Sequence, residues 1–213
     1  DEPPTGPLAP SRNLVQNGSF DDLWDNWTIL AWNIERADQP EGEMDIVALF
    51  GELALHVLRN GLGHADVALR QRMDQDVTDF ASLALEVDLR IRGQSLPVCG
   101  NVGSECPVII RVEYEDMSGA IQAWQQGFFA TGDINPQTAP DICTTCGPPR
   151  LEHIRVPPDQ IAFYRADIIE DLQLKGMQPP RRINSIMLIA SGHGFNVDIL
   201  NVGLIAEERL ESE

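Results

Sequence analysis

Three stretches of the chain alternate strictly between apolar and polar residues, and this period of two limits the possible folds more than any other feature. In the clearest stretch, 83–91, leucine, valine or isoleucine occupies every odd position, with alanine or a charged residue between them. Similar alternation runs over 65–73 and 108–114. Successive side chains of a β-strand point to opposite faces, so each stretch predicts a strand with one buried face and one solvated face.

Further strand candidates are less regular, and turn residues separate them, including Asn60-Gly61 and Ser191-Gly192. The candidates are 27–35, 46–50, 54–59, 121–129, 151–156, 163–169, 186–190 and 195–204. The segment 159–174 is ambiguous between a strand and a short helix. Many short strands without alternating helices predict an all-β fold, an antiparallel β-sandwich, rather than a parallel α/β sheet.

The composition of both ends differs from that of the middle. Residues 1–12 are rich in proline and poor in apolar side chains, so we predict a linker there. Residues 207–213 are predicted to be an acidic tail that takes no part in a core. A single β-sandwich domain is expected over 13–206.

The charge of the chain argues against two classes of partner. Asp and Glu total 33 against 15 Lys and Arg, giving a net charge of −18. Such a surface repels phosphate backbones and anionic lipids, so we expect no nucleic-acid partner. No apolar run reaches the roughly 18–20 residues that cross a bilayer, so we expect no membrane insertion in this segment.

Four cysteines form two close pairs, Cys99 with Cys106 and Cys143 with Cys146, in segments rich in glycine or proline. An even number of cysteines in loops predicts disulfides, and with them an exported, extracellular or cell-surface protein. Two alternatives stay open. A four-cysteine zinc site would require the two loops to meet in space. Free or redox-active thiols are the other possibility.

Three segments resemble carbohydrate-binding modules of families 4 and 9. The first is Asn-Leu-Val-Gln-Asn-Gly-Ser-Phe-Asp over 13–21, followed by Trp27. The second is Gly-Glu-Leu-Ala-Leu-His-Val over 51–57, with Gln71 on the next strand; the third is the last strand, 195–204. The resemblance implies a galactose-binding-like jelly roll in which the first and last strands lie close together.

The same resemblance implies a structural calcium ion. Members of these families often bind calcium through the acidic residue of the first segment and an aspartate of the last strand. Asp21 matches the first position, whereas the second falls on Leu200. Asp198 lies two residues earlier on the same strand face and offers the oxygen ligand that calcium prefers. A solvated surface acid is the alternative for this residue.

Sugar binding by such modules uses aromatic faces and neighbouring polar side chains. Trp124 lies among glutamines, so we predict a ligand site at Trp124, Gln122 and Gln126. Tyr114 and Trp32 are further ligand candidates. The alternative for Trp32 is burial in the core, because it would lie on the same strand face as Leu30 and Ile34.

The sequence contains none of the catalytic patterns H-E-x-x-H, G-x-S-x-G or G-x-G-x-x-G, and no P-loop. We therefore predict that the protein is not an enzyme. The expected function is that of a non-catalytic extracellular binding module, with carbohydrate as ligand. The alternative is a structural or protein-interaction domain of a cell-surface assembly or sensor ectodomain.

Overall fold

The computed structural model describes residues 10–100, 105–133, 139 and 143–209, and within these it forms ten β-strands and one short helix. The strands are β1 (Ser11–Asn13), β2 (Thr28–Trp32), β3 (Glu43–Leu49), β4 (Glu52–Asp76), β5 (Phe80–Gln94), β6 (Cys106–Asp116), β7 (Ile121–Phe129), β8 (Ile154–Arg155), β9 (Ile161–Asp167) and β10 (Pro180–Glu208). The helix is α1 (Ile168–Leu174). No helix in these described ranges is long and apolar enough to cross a membrane.

Two long strands, β4 with 25 residues and β10 with 29, run through both layers of the sandwich. The first half of β10 pairs with residues 65–76 of β4 and with β6, and its second half pairs with residues 55–60 of β4 and with β5. The first layer has the order β2, β4, β10, β6, β7, β8. The second layer places β3 beside β4, and β9 beside β5. All these pairings are antiparallel except β7 with β8.

The predicted turns at Asn60-Gly61 and Ser191-Gly192 are not turns, because both dipeptides lie inside continuous strands. Glycines here let a strand pass from one layer to the other. Gly192 has a φ of +148°, and the register between β10 and β4 shifts between Gly192 and Gly194. Glycine lacks a Cβ and tolerates this conformation, so the turn residues mark bends rather than strand ends.

Both layers contribute side chains to one hydrophobic core. The alternating residues of 83–91 are fully buried on their odd positions, and those of 108–114 are buried on their even positions. They pack with residues of β4 and β10, including Leu69 and Ile186. The prediction of an all-β antiparallel sandwich is confirmed, and strict alternation located its central strands.

The ambiguous segment 159–174 contains both a strand and a helix. Strand β9 ends at Asp167, whose carboxylate accepts hydrogen bonds from the backbone N–H of Ile169 and Glu170 and so begins α1. This is the usual role of an aspartate N-cap. The helix buries Ile168 and Leu172 in the core.

The ends of the fold extend beyond the predicted domain limits. Ser11, inside the predicted linker, pairs with Glu207, inside the predicted tail, and the N–H of Glu208 donates to the carbonyl of Pro10 at 2.9 Å. Backbone pairing at an edge requires no apolar side chain, so composition could not show it. The first and last strands are therefore adjacent, as the resemblance implied. Residues 1–9 and 210–213 lie outside the described residues.

Candidate functional site

A groove of about 560 Å³ runs across the outer face of the first layer. It forms because residues of one parity on five adjacent strands face away from the core. The register aligns them in rows, so that Met187 on β10 pairs with Arg70 on β4 and with Arg111 on β6. Concave sites of this size, with apolar surfaces and a few polar groups, are typical of small-molecule binding.

The groove floor is apolar. Ile109, Met187 and Ile189 line it and are buried in a small hydrophobic cluster separate from the main core. Trp32 packs against this cluster, is half-buried and lines the groove. It lies at the edge of the layer, where β2 pairs with β4. Of the predicted ligand residues, Trp32 is the one that the groove contains.

One side of the groove carries a network around Asp66, which pairs with Trp32 in register. The Asp66 carboxylate lies 3.0 Å from His64 Nε2 and accepts a hydrogen bond of 2.5 Å from Asn33 Nδ2. The hydrogen bond between His64 and Asp66 raises the pKa of His64 above its usual 6.5. Burial of the imidazole lowers this pKa, but by less. Burial raises the pKa of Asp66, but its hydrogen bonds from His64, Ser191 and Asn33 outweigh burial and lower it overall. The pair is thus disposed to hold opposite charges.

The other side carries a charged network on β4, β6 and β7. Arg70 Nη2 donates to Glu113 Oε2 at 3.3 Å, and Arg111 Nε lies 3.5 Å from Glu113 Oε1. Arg111 Nη1 also donates to Gln125 Oε1 at 3.2 Å. The Glu113 carboxylate accepts a further bond from Ser185 at 3.0 Å. These contacts fix planar guanidinium and amide groups along the groove before any ligand arrives.

Thr145, from the turn that contains Cys143 and Cys146, also lines the groove. The turn is attached to the sheet, because Gln125 Nε2 donates a hydrogen bond to the carbonyl of Thr145 at 2.8 Å. The Thr145 hydroxyl points away from this bond toward the cysteines, with its Oγ1 3.5 Å from Cys106 Sγ.

The predicted cysteine pairs stand at disulfide-bonding distance. Their Cα separations are 4.9 Å for Cys99–Cys106 and 5.4 Å for Cys143–Cys146, within the usual range for disulfides. All four side chains are buried. The two loops also meet in space around His153, a residue that no spacing in the sequence marks as a metal ligand. That meeting is the condition on which the zinc alternative depends.

The predicted aromatic site on β6 and β7 faces the core instead of the groove. Trp124 and Tyr114 are fully buried, and Trp124 Nε1 donates to Asp171 Oδ2 at 2.9 Å. A sugar cannot stack on a ring enclosed in this way, so the structure corrects the prediction for both residues. Both residues occupy even positions of their strands, and the even positions of these strands face the core.

The three glutamines of β7 lie on two different faces of the strand, Gln122 and Gln126 on one and Gln125 on the other. Gln126 is buried and donates from Nε2 to the carbonyl of Glu152 at 2.8 Å, and Gln122 pairs with Tyr114 in register near the start of β7. The intervening Gln125 lines the groove. Gln125 is one of the glutamines around Trp124 but not one of the predicted ligand residues, because both faces of β7 are largely buried and the strand lacks a clear alternation of apolar and polar positions.

The two aspartates of the predicted calcium site have other partners. Asp198 is fully buried, with Oδ1 2.7 Å from His56 Nδ1 and Oδ2 3.8 Å from Arg90 Nη1. Asp21 is exposed and accepts a hydrogen bond of 2.7 Å from Ser19. Among the described residues, the groups of three or more converging metal-ligand side chains include neither aspartate. Calcium binding at Asp21 and Asp198 stays a prediction.

The fold defined by these layers is that of β-sandwich carbohydrate-binding modules. One similar solved structure is the family 11 module of the cellulosomal cellulase Lic26A-Cel5E of Clostridium thermocellum, with 11% identity, a TM-score of 0.50 and coverage of 97% of this chain and 99% of that one. Another is the family 11 module from Clostridium thermocellum in complex with a β-1,3-1,4-mixed-linked tetrasaccharide, with 12% identity, a TM-score of 0.50 and coverage of 97% and 100%. No protein family model and no curated protein sequence matches the chain. The likeness is thus one of fold, and both of these similar structures are family 11 modules.

Proposed function

We propose that this chain is a non-catalytic module that binds a carbohydrate chain in the groove of the first layer. The observation that carries the proposal is the placement of Trp32 opposite fixed polar groups on one open sheet face. An indole offers an apolar face to a pyranose ring, and planar amide and guanidinium groups offer hydrogen bonds to its hydroxyls. The likeness of fold to a module solved with a bound tetrasaccharide supports this ligand class.

The charges of the groove favour a neutral sugar. Both carboxylates of the groove are paired with basic groups, Asp66 with His64 and Glu113 with Arg70 and Arg111, so each acidic group is neutralised by a basic neighbour. The chain as a whole carries a net charge of −18, which repels polyanionic polysaccharides at long range. A neutral β-linked glucan is therefore the substrate class to test first.

The groove carboxylates fit a binding role better than a catalytic one. A glycosidase needs one carboxylic acid with a raised pKa that can give up a proton. The pKa of Asp66 is lowered instead, and Glu113 is engaged by Arg70 and Arg111. An extracellular or cell-surface location belongs to the same proposal, supported by the cysteine pairs at disulfide-bonding distance.

Isothermal titration with a mixed-linkage β-1,3-1,4-glucan tetrasaccharide tests the proposal. We expect Trp32→Ala to weaken binding at least about tenfold, equivalent to about 1.4 kcal/mol. The matched control is Phe163→Ala, an exposed aromatic residue on β9 of the other layer, which should leave the affinity unchanged. Failure to bind a panel of neutral polysaccharides, or equal loss in both variants, would reject the groove as a sugar site.

A protein-interaction role is the second candidate, and exposed apolar side chains on the other layer favour it. Ile161 and Phe163 lie on one face of β9 and are 46% and 62% exposed. Such a pair on a sheet edge is a suitable contact for another protein surface. Sedimentation of wild type and Phe163→Ser over a range of concentrations tests self-association through this edge. Equal sedimentation of the two would exclude it.

A further inference from the structure

Four cysteine sulfurs and one histidine, all common zinc ligands, converge beside the groove. Cys99 and Cys106 lie with His153 in one group whose ligand atoms are all within 4.8 Å of one another, and Cys143 and Cys146 form a second such group with the same histidine. All five side chains are buried. His153 is therefore the shared member that joins cysteines from two separate loops.

The Thr145 hydroxyl occupies the space between the two cysteine pairs. Its Oγ1 lies 3.5 Å from Cys106 Sγ, 3.6 Å from Cys143 Sγ and 3.0 Å from His153 Nε2. A small polar group thus stands where the ligand atoms of both pairs approach each other. The threonine side chain can turn about its Cα–Cβ bond to leave this space.

The distances from His153 to both sulfurs of the second group fit tetrahedral coordination, whereas the two sulfurs are bonded to each other and must separate on reduction before they can bind one ion. With zinc–sulfur bonds of 2.3 Å and a zinc–nitrogen bond of 2.0–2.1 Å, a tetrahedral site separates sulfur from nitrogen by about 3.5 Å. The observed separations from His153 Nε2 are 3.5 Å to Cys143 Sγ and 3.4 Å to Cys146 Sγ. The backbone N–H of Cys146 also donates to Cys143 Sγ at 3.0 Å, a contact that would stabilise a thiolate.

Strand β7 holds the histidine in place. Gly127 lies under the His153 ring, and a Cβ at position 127 would overlap the imidazole atoms. The absence of a side chain at this one strand position therefore makes room for the ring. The histidine is seated by the rigid sheet, while three of the four cysteines come from loops.

We propose that the reduced form of this chain binds one Zn²⁺ ion through Cys143, Cys146, His153 Nε2 and a sulfur of the Cys99–Cys106 pair. Each disulfide is first cleaved by a phosphine reductant, which supplies two electrons and is converted to its oxide by the oxygen of water. The two sulfurs take two protons and become thiols. When the metal binds, the three coordinating thiols each release a proton to solvent.

The test uses the whole chain, reduced with a phosphine without oxygen and titrated with Co²⁺ and then Zn²⁺. We expect one Co²⁺ per chain, with the intense visible absorption of a tetrahedral ion and the ultraviolet bands of thiolate ligation, and we expect Zn²⁺ to displace it. In the same samples, bound Zn²⁺ should protect all but one of the four cysteines from alkylation. Weak octahedral-type absorption, or four thiols that remain reactive in excess Zn²⁺, would overturn the proposal.

Variants locate the ligands. His153→Gln should lower Zn²⁺ affinity at least about 100-fold, since loss of outer-shell groups alone costs 10–100-fold. The matched control, His193→Gln, changes a histidine outside both ligand groups and should bind as wild type does. Circular dichroism checks that each variant folds. If His153→Gln does not fold, the Co²⁺ spectrum and the alkylation pattern of wild type still decide. Equal affinities in the two variants would exclude His153 as a ligand.

Discussion

Gln125 Nε2 donates a hydrogen bond of 2.8 Å to the carbonyl oxygen of Thr145, and this contact joins the groove to the turn that carries Cys143 and Cys146. The same side chain accepts a bond from Arg111 at 3.2 Å. Gln125 thus positions two lining residues of the groove, Arg111 and Thr145, together. A single amide links two features that are 20 residues apart in sequence.

Replacing Gln125 with alanine should therefore weaken ligand binding even if Gln125 itself touches no sugar. Loss of two hydrogen bonds that orient groove residues is expected to cost about 1–2 kcal/mol. Titration with the tetrasaccharide measures the effect. Gln122→Ala, a change on the same strand but outside the groove lining, serves as the control. Equal affinities for the two variants would mean that Gln125 does not organise the groove.

The stability of the protein should depend on pH through His64. The hydrogen bond to Asp66 raises the pKa of His64 above 6.5, assisted by Glu35, whereas burial and Arg59 oppose this shift. The stabilisation is therefore complete below about pH 6.5 and is lost as the pH rises through the folded-state pKa. Urea unfolding of wild type and His64→Gln from about pH 5.5 to 8.5 should show the free-energy difference between them shrinking with rising pH. A difference independent of pH would rule out a charged pair.

Substitution of Trp124 should mainly lower stability, whereas substitution of Trp32 should mainly weaken binding. Trp124 fills the core, so Trp124→Ala should lower the free energy of unfolding by about 3–5 kcal/mol. Trp32 is half-buried at a sheet edge, and Trp32→Ala should cost no more than about 2 kcal/mol. Denaturant unfolding measures both. A larger loss for Trp32 than for Trp124 would contradict the assignment of one to the groove and the other to the core.

Substitution of the buried Asp198 tests whether its partners are basic side chains or a calcium ion. Asp198→Asn leaves His56, Arg90 and Arg92 without their shared carboxylate and is expected to destabilise the fold by about 3–5 kcal/mol. This loss should be the same with and without a chelator if the partners are the three basic side chains. If Asp198 binds calcium together with Asp21, the chelator should instead destabilise wild type and leave the variant unaffected.

The sequence predicted those parts of the fold in which one strand face is polar. Strict alternation over 83–91 identified a central strand and its buried face. On β7 both faces are buried, so the sequence does not show which of Trp124 and Gln125 faces the core. The prediction therefore placed the aromatic site on the wrong face. Likewise, Gly61 and Gly192 indicated turns, because local chemistry does not distinguish a turn from a bend within a strand.

The candidate site depends on which residues become neighbours across strands, and this is a tertiary property. Trp32, Met187 and Gln125 are distant in sequence, and register alone brings them to one face. His153 had no spacing that marked it as a partner of the cysteines. Its role follows only from the meeting of two loops over Gly127.

The continuity of β4 and β10 bears on how this protein unfolds. Each strand contributes about half of its length to each layer. Separation of β4 from β10 in one layer should therefore disrupt the pairing in the other layer as well. The sandwich should therefore melt in a single cooperative transition, with no populated state in which one layer survives alone. Amide protons on β4 and β10 should exchange only through global opening, at the same slow rate on both sides of the bend at Gly192.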